Sequence, residues 1–188
     1  MIDLSKQPAR IPAGRLTLRH LCAADGEALS AILRSEAVAK TYMLPVFSAP
    51  EEALALARRL CDLSAGGGHF VYGAFLGDRL VGFLNDVEIG PETIEVGYVV
   101  APACWSRGYA TEMLTAAIAA LFVLGFSAVR AGYFEENGSS RRVMEKSGMA
   151  PLDKTEEIAY RGRTHRCRYC ERKNLKNVGL SNRLDREV

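Results

Sequence analysis

Glu95-Val96-Gly97-Tyr98-Val99-Val100, followed by Pro102 and by Trp105-Ser106-Arg107-Gly108-Tyr109-Ala110-Thr111-Glu112, is the stretch on which the fold turns. From Ile94 to Val100 the residues suit an extended segment in which Ile94, Val96, Tyr98 and Val100 share one face. Glu95, Gly97 and Val99 then share the other, which places a carboxylate on a sheet surface. From Thr111 the period becomes helical: Leu114, Ile118, Leu121 and Phe122 recur at helical spacing, and Gly125 is the natural stop. The turn between them holds Gly108 and the small Ala110. The first amides of a helix lack intrahelical partners, and the aligned peptide dipoles place about half a positive charge there, so anionic oxygens bind favourably. Arg107 adds a charge suited to phosphate geometry. An Arg-Gly-x-Ala string read alone is also compatible with a plain strand-to-helix turn.

Working outward, residues 70–75 and 80–89 read as a hairpin about a Gly77-Asp78 turn, and Pro91-Glu92-Thr93 leads into the strand of residues 94–100. Further along, a strand over 128–134 precedes Asn137, a helix cap, and Gly148 closes that short helix. Residues 155–160 and 164–172 form a last hairpin around Arg161-Gly162-Arg163. Before all of these, residues 15–21 read as a strand and 25–33 as a helix. Ser48, Pro50 and Glu51 read as a capping-box start for a helix whose Ala53, Leu56, Ala57, Leu60 and Leu63 share one face and which Gly66, Gly67 and Gly68 end. The order implies an α+β domain rather than a repeated doubly wound pattern.

The chain has 188 residues, 48% apolar and 24% charged, which excludes disordered and collagen-like classes and is long enough for a real core. Five irregularly spaced cysteines do not make a disulfide scaffold and point to a reduced, cytoplasmic setting. The longest apolar run, residues 115–129, is shorter than the roughly 20 residues that cross a bilayer, and no secretory signal is evident, so no membrane association is expected. With no linker or internal repeat, residues 1–188 are expected to form one domain, with a core of about 15–172 and a basic tail at 173–188. The net charge of +2 conceals an asymmetry, since residues 161–188 carry 9 Lys or Arg against 3 Asp or Glu. A solvated edge hairpin with a frayed end is the preferred reading of that basic end, and contact with RNA or a ribosome the alternative.

The turn is not a Walker loop, because no Gly-Lys-Ser/Thr follows a first glycine by four residues, and the three-glycine dinucleotide fingerprint is missing. The stretch 95–112 resembles the acetyl-CoA-binding motif of the GNAT N-acetyltransferase superfamily. Asn137-Gly138-Ser139-Ser140-Arg141-Arg142-Val143-Met144-Glu145-Lys146-Ser147-Gly148-Met149 is similar to that superfamily's second cofactor motif. The start at Arg15-Leu16-Thr17-Leu18-Arg19, the stretch Tyr160 to His165 and Trp105 resemble the ribosomal-protein-alanine N-acetyltransferase branch. The likeness spans about residues 15–172.

The resemblance implies a GNAT-like acyl-CoA N-acyltransferase fold: a mixed central sheet of about seven strands flanked by helices and splayed in the middle. It implies acetyl-CoA as cosubstrate, no metal, and direct acetyl transfer to a primary amine in a ternary complex. Cofactor contacts carry over to Val99, Val100, Arg107, Gly108, Tyr109, Ala110, Thr111, Asn137 and Ser140. Glu95 is the candidate base, against a plain reading as a strand carboxylate paired with a cation. Many relatives protonate the departing thiolate from a Tyr on the second-motif helix; here that position is Met144, which has no proton to give. Ser140 matches a serine proposed for this role in the ribosomal-protein branch, and also suits a first-turn helix serine. Asn85 is a candidate substrate-pocket residue or, equally, part of a bulge or solvent-facing pair with Asp86.

Other constellations carry less. Cys167 and Cys170 point to opposite faces of an extended strand, no second pair has zinc spacing, and His20, His69 and His165 are scattered. Cys104 lies in the cofactor turn without an identifiable base. The acceptor is a small-molecule amine or a protein N-terminal amine, nucleic acid is not an expected partner, and a homodimer is compatible with the sequence. The alternative to an enzyme is a catalytically idle CoA-binding or ribosome-associated module, suggested by Met144 and the basic tail.

Overall fold

The computed structural model describes residues 2–175. Its eight strands are β1 (Arg10–Ala13), β2 (Leu16–Arg19), β3 (Tyr72–Leu76), β4 (Arg79–Ile89), β5 (Thr93–Val100), β6 (Ala128–Phe134), β7 (Ala150–Tyr160) and β8 (Arg163–Lys173). They lie side by side in one open sheet in the order β1-β2-β3-β4-β5-β6-β8-β7. The helices are α1 (Gly26–Leu33), the short α2 (Glu36–Ala39), α3 (Pro50–Ala65), α4 (Tyr109–Leu124) and α5 (Gly138–Lys146). Every neighbouring strand pair is antiparallel except β5 and β6. That single parallel pair is joined by α4, the crossover that parallel strands require.

The sheet has one strand more than the sequence reading counts. Residues 10–13 are too few to show a period, yet Ile11 and Ala13 are buried and pair with Leu18 and Leu16 across a turn at Gly14 and Arg15. The last hairpin is also not wholly at the edge: β8 lies between β6 and β7, pairing Cys170 with Ala131 and Cys167 with Phe134. α3 begins one step later than a Ser48 capping box requires. Ala49 is the cap residue, Pro50 sits in the first turn, and the Ser48 amide donates to Glu52 Oε2 at 2.7 Å. The end of the basic tail, residues 176–188, lies outside the described residues.

Helices cover both faces. α4 and α5 press Met113, Leu114, Ala117, Ile118, Leu121 and Met144 onto Leu18, Ile94, Val96, Val129 and Ala131. On the other face Leu29 and Leu33 from α1 and Ala57 and Cys61 from α3 pack with Phe75, Phe83 and Val99. The alternation along β5 thus sends Ile94, Val96 and Val100 to the α4 side and Val99 to the α1 side. Among the described residues no helix is long and apolar enough to cross a membrane.

Met113 is fully buried at the centre of the α4 contact. Met113→Ala leaves a cavity there and is expected to lower the unfolding free energy by about 2–5 kcal/mol in denaturant melts, with an unchanged m-value.

Candidate active site

β5 and β6 pair only at Thr93↔Ala128, Ile94↔Val129 and Glu95↔Arg130, although β5 runs on to Val100 and β6 to Phe134. Beyond that last rung the strands diverge, held apart by β4 on one side and β8 on the other. A cleft of about 410 Å³ opens between them. Of the sequence-predicted cofactor residues, Val99, Val100, Arg107, Gly108, Tyr109, Ala110, Thr111, Asn137 and Ser140 all line it.

One edge of β5 is left exposed to this opening. The Ala101 amide donates to Val81 O on the β4 side, so strand alternation turns the backbone groups of Tyr98 and Val100 toward the cleft. The Trp105 indole takes one of them, donating to Val100 O at 2.6 Å. The chain then reverses at Ser106 (φ 60°) and Gly108 (φ 83°), a left-handed conformation that glycine adopts without strain. These two reversals flank Arg107, and all three residues line the cleft. α4 follows immediately: Thr111 and Glu112 amides bond to Gly108 O, whereas among the described residues the amides of Gly108, Tyr109 and Ala110 have no protein acceptor.

Glu112 sits in the first turn of α4, where its charge opposes an incoming anion. Arg15, from the β1–β2 turn, answers it: its amide donates to Glu112 Oε2 and its Nε to Oε1, both at 2.8 Å. The same guanidinium donates to Arg107 O and lies over the Tyr109 ring at 4.7 Å. The Arg15 hydrogen bonds outweigh desolvation and hold the Glu112 carboxyl below the usual range. Arg15 is thus a brace for the turn, and sequence reading assigned it no role because its partners lie more than 90 residues away.

Across the cleft, Asn137 caps α5 by accepting the Ser140 amide at 3.1 Å. Ser140 Oγ lies 2.6 Å from the Tyr98 hydroxyl, which also donates to Ser140 O at 3.1 Å. Burial pushes the Tyr98 phenol far above its ordinary range, with the Ser140 bond pulling the other way. This hydroxyl pair escaped the sequence reading, which placed Tyr98 on one face with Ile94, Val96 and Val100 and gave it no role. Met144 is fully buried against the sheet and does not line the cleft.

Gly97 and Gly132, each two residues past the last rung, both line the cleft, and the absence of their side chains makes room for tyrosine rings. A Cβ on Gly97 would meet Tyr42 Oη at 2.7 Å, and one on Gly132 would meet the Tyr169 ring at 3.0 Å. Tyr42 donates to Asn85 Oδ1 at 2.7 Å, and burial pushes its phenol up to about 12. Asn85 itself does not line the cleft but stands behind Tyr42, its amide donating to Asp86 O. The segment carrying Tyr42 is pinned by Tyr160, which donates to Ala39 O at 2.8 Å and accepts the Leu44 amide at 3.2 Å.

Glu95 lies on the same face of β5 as Gly97, at the last paired rung, just below the cleft and not among its lining residues. Burial raises its carboxyl above the ordinary range; Lys154 and Arg130 act against the shift, and Glu88 and Glu156 add to it. Lys154 in turn pairs with Glu156 at 2.9 Å and rests on the Tyr169 ring. The three histidines stay apart: His69 bonds Asp86, His165 bonds Glu136 and stacks on Phe134, and His20 packs on Tyr72. Among the described residues no group of three or more His, Cys, Asp or Glu gathers to hold a metal, and the five cysteines are free.

A family model described as an acetyltransferase (GNAT) domain matches residues 15–150. The chain is 27% identical over 139 residues to an uncharacterized N-acetyltransferase, YoaA, of Bacillus subtilis, covering 71% of this chain and 78% of that one. Among solved structures, an acetyltransferase of Salmonella typhimurium that modifies the N-terminal serine of ribosomal protein L7/L12 superposes with a TM-score of 0.76. Its identity is 17%, with 88% of this chain and 99% of that one covered. The microcin C7 self-immunity acetyltransferase MccE, solved with acetyl-CoA and AMP, gives a TM-score of 0.77 at 13% identity, over 92% of this chain and all of that one.

Gly108→Glu places a bulky, negatively charged side chain at a left-handed position beside the free amides. It is expected to weaken CoA binding about a hundredfold or more in calorimetry, with folding checked by a thermal melt. Affinity within about twofold of wild type would contradict the anion site.

Proposed function

The chain belongs to the GNAT acetyltransferase family, and from that premise we propose that it moves an acetyl group from acetyl-CoA directly to a primary amine held in the same cleft. The observation that supports this most is the junction of three features: unpartnered amides at the start of α4, an exposed β5 edge, and a cleft lined from both faces of the sheet, by Tyr42 on one and Tyr98 and Ser140 on the other. These residues fit an acyl-CoA. The Gly108, Tyr109 and Ala110 amides and the Arg107 side chain would hold the diphosphate, with Thr111 beside them. The open backbone near Val99 and Val100 and the Asn137 side chain would hold the pantetheine amides as an added strand is held. When bound, acetyl-CoA supplies an activated thioester.

The protein's own groups then have two tasks. The acceptor must lose a proton before it attacks: an α-amine near pKa 8 costs about 1.4 kcal/mol at neutral pH and a lysine near 10.4 about 4.6 kcal/mol. Glu95, at the last β5–β6 rung below the cleft, takes that proton through a bridging water, and its raised pKa brings it closer to the working pH. The departing sulfur must gain one. Ser140 lines the cleft and its Oγ is held by Tyr98, which supports a hydroxyl donor from α5 and strand β5 in place of the position filled by Met144. The acceptor class comprises small amines and protein N-termini, in a cytoplasmic setting consistent with the free cysteines.

The idle CoA-binding alternative separates cleanly: acetyl-CoA binding without thiol release on any member of an amine panel would favour it. Glu95→Gln is expected to lower turnover more at pH 7 than at pH 9, where more amine is already neutral; equal losses would contradict the base role.

The same substitution carries a second prediction of opposite sign for stability. A carboxyl whose folded pKa is raised weakens the fold as pH rises from its unfolded value through its folded one. Glu95→Gln removes that penalty, so its melting temperature relative to wild type is expected to be higher at pH 8 than at pH 4. A difference that does not grow with pH would contradict the buried placement of this carboxylate.

A further inference from the structure

Of the five free cysteines Cys22 alone is exposed; Cys61, Cys104, Cys167 and Cys170 are buried. Cys22 and Cys61, 39 residues apart, meet where α3 lies against the chain leaving β2. Two α3 residues three apart, and therefore on one helix face, reach two consecutive residues there. Ser64 Oγ accepts the Leu21 amide at 2.9 Å, and the Cys61 thiol donates to Cys22 O at 3.1 Å. The seam is tied on both sides: Ser64 Oγ donates to Val71 O, the Cys22 amide donates to Asp25 Oδ2 at 2.9 Å, and Asp25 holds the Arg19 guanidinium through both carboxylate oxygens. That guanidinium is the cation beside the Cys22 thiol. The two thiols are unequal. Burial pushes the Cys61 thiol up to about 11, with Asp25 adding to the shift, so it stays protonated and shielded. Cys22 is open to solvent and has a positive neighbour, the setting in which a thiol is oxidised first. A carbonyl oxygen stands about 2.4 Å from its own Cα, so the Cys61 sulfur lies at most about 5.5 Å from the Cys22 Cα.

We propose that Cys22 and Cys61 form a peroxide-sensitive dithiol, in which Cys22 is the site of oxidation and Cys61 resolves it as an intramolecular disulfide that fastens α3 to the end of β2. In the first step the Cys22 sulfur attacks one peroxide oxygen and the O–O bond breaks. Cys22 becomes a sulfenic acid, and the departing hydroxide leaves as water with the proton of the thiol. In the second step, after rotation of the two side chains, the Cys61 sulfur attacks the Cys22 sulfur and the S–O bond breaks. The hydroxyl leaves as a second water with the Cys61 proton. Peroxide is reduced to two waters while the two thiols lose two hydrogens. Neither cysteine lines the cleft between β5 and β6, so the inference stands apart from the acetyl-CoA reading. In a reducing compartment such a bridge is transient rather than a structural staple.

The test treats the native, fully reduced chain with a small excess of hydrogen peroxide and maps its peptides by mass spectrometry under non-reducing conditions. The expected result is a peptide joining Cys22 to Cys61, a loss of two of the five thiols when they are counted after denaturation, and recovery of both on adding dithiothreitol. Cys61→Ser is expected to stop at the Cys22 sulfenic acid, captured by dimedone, and Cys22→Ser to leave Cys61 reduced at the same dose. A wild-type chain that keeps all five thiols would overturn the proposal. So would a map in which Cys22 stops at sulfenic or sulfinic acid, or joins another cysteine or another chain. Oxidation of Cys61 in Cys22→Ser at the wild-type rate would overturn the assignment of Cys22 as the first site. The wild-type map decides the bridge even where a variant folds poorly.

Discussion

A parallel pair of strands that is allowed only three rungs governs this molecule. β5 is bound along its length by β4, and β6 along its length by β8, so each strand is stable without the other. Where they part after Glu95 and Arg130, backbone groups and side-chain space open that a continuous sheet would bury. Unpaired backbone polar groups must find partners. Trp105 supplies one from the turn that follows β5, and the rest are presented to the cleft. Gly97 and Gly132 then leave room for the Tyr42 and Tyr169 rings, which come within contact distance of where a Cβ would stand.

Electrostatics builds on this opening. A helix start with free amides draws anions only if nearby carboxylates are neutralised, and Arg15 does this for Glu112 while bracing the carbonyl of Arg107. On the other face acidic groups outnumber basic ones: Glu88, Glu95 and Glu156 gather near Lys154 and Arg130, and partial burial keeps Glu95 protonated to a higher pH than an exposed carboxyl. One face of the opening thus suits an anionic carrier, and the other suits a cationic acceptor that must be deprotonated.

Much of this was legible in the sequence. The strand-to-helix turn with Arg107, Gly108 and Ala110 was visible in the local pattern, its reading as a cofactor site came from the family resemblance, and the nine residues carried over by that resemblance line one cleft. What escaped notice depends on long-range contact. β1 is four residues long and recognisable only by its pairing with β2. Arg15 acquires meaning from Glu112, and Tyr98 from Ser140, partners that no periodicity announces. Alternation correctly put Glu95 opposite the α4 core, but it could not reveal that the carboxylate stops one rung below the cleft or that Asn85 would support Tyr42 rather than line the opening.

Amide hydrogen exchange with and without acetyl-CoA tests the central claim most directly. Protection gained at residues 108–110, 98 and 100, together with the first turn of α5, is the expected pattern, because those backbone donors lie along the cleft without a strand partner. Binding that protects some other surface and leaves the start of α4 exchanging at its free rate would contradict it.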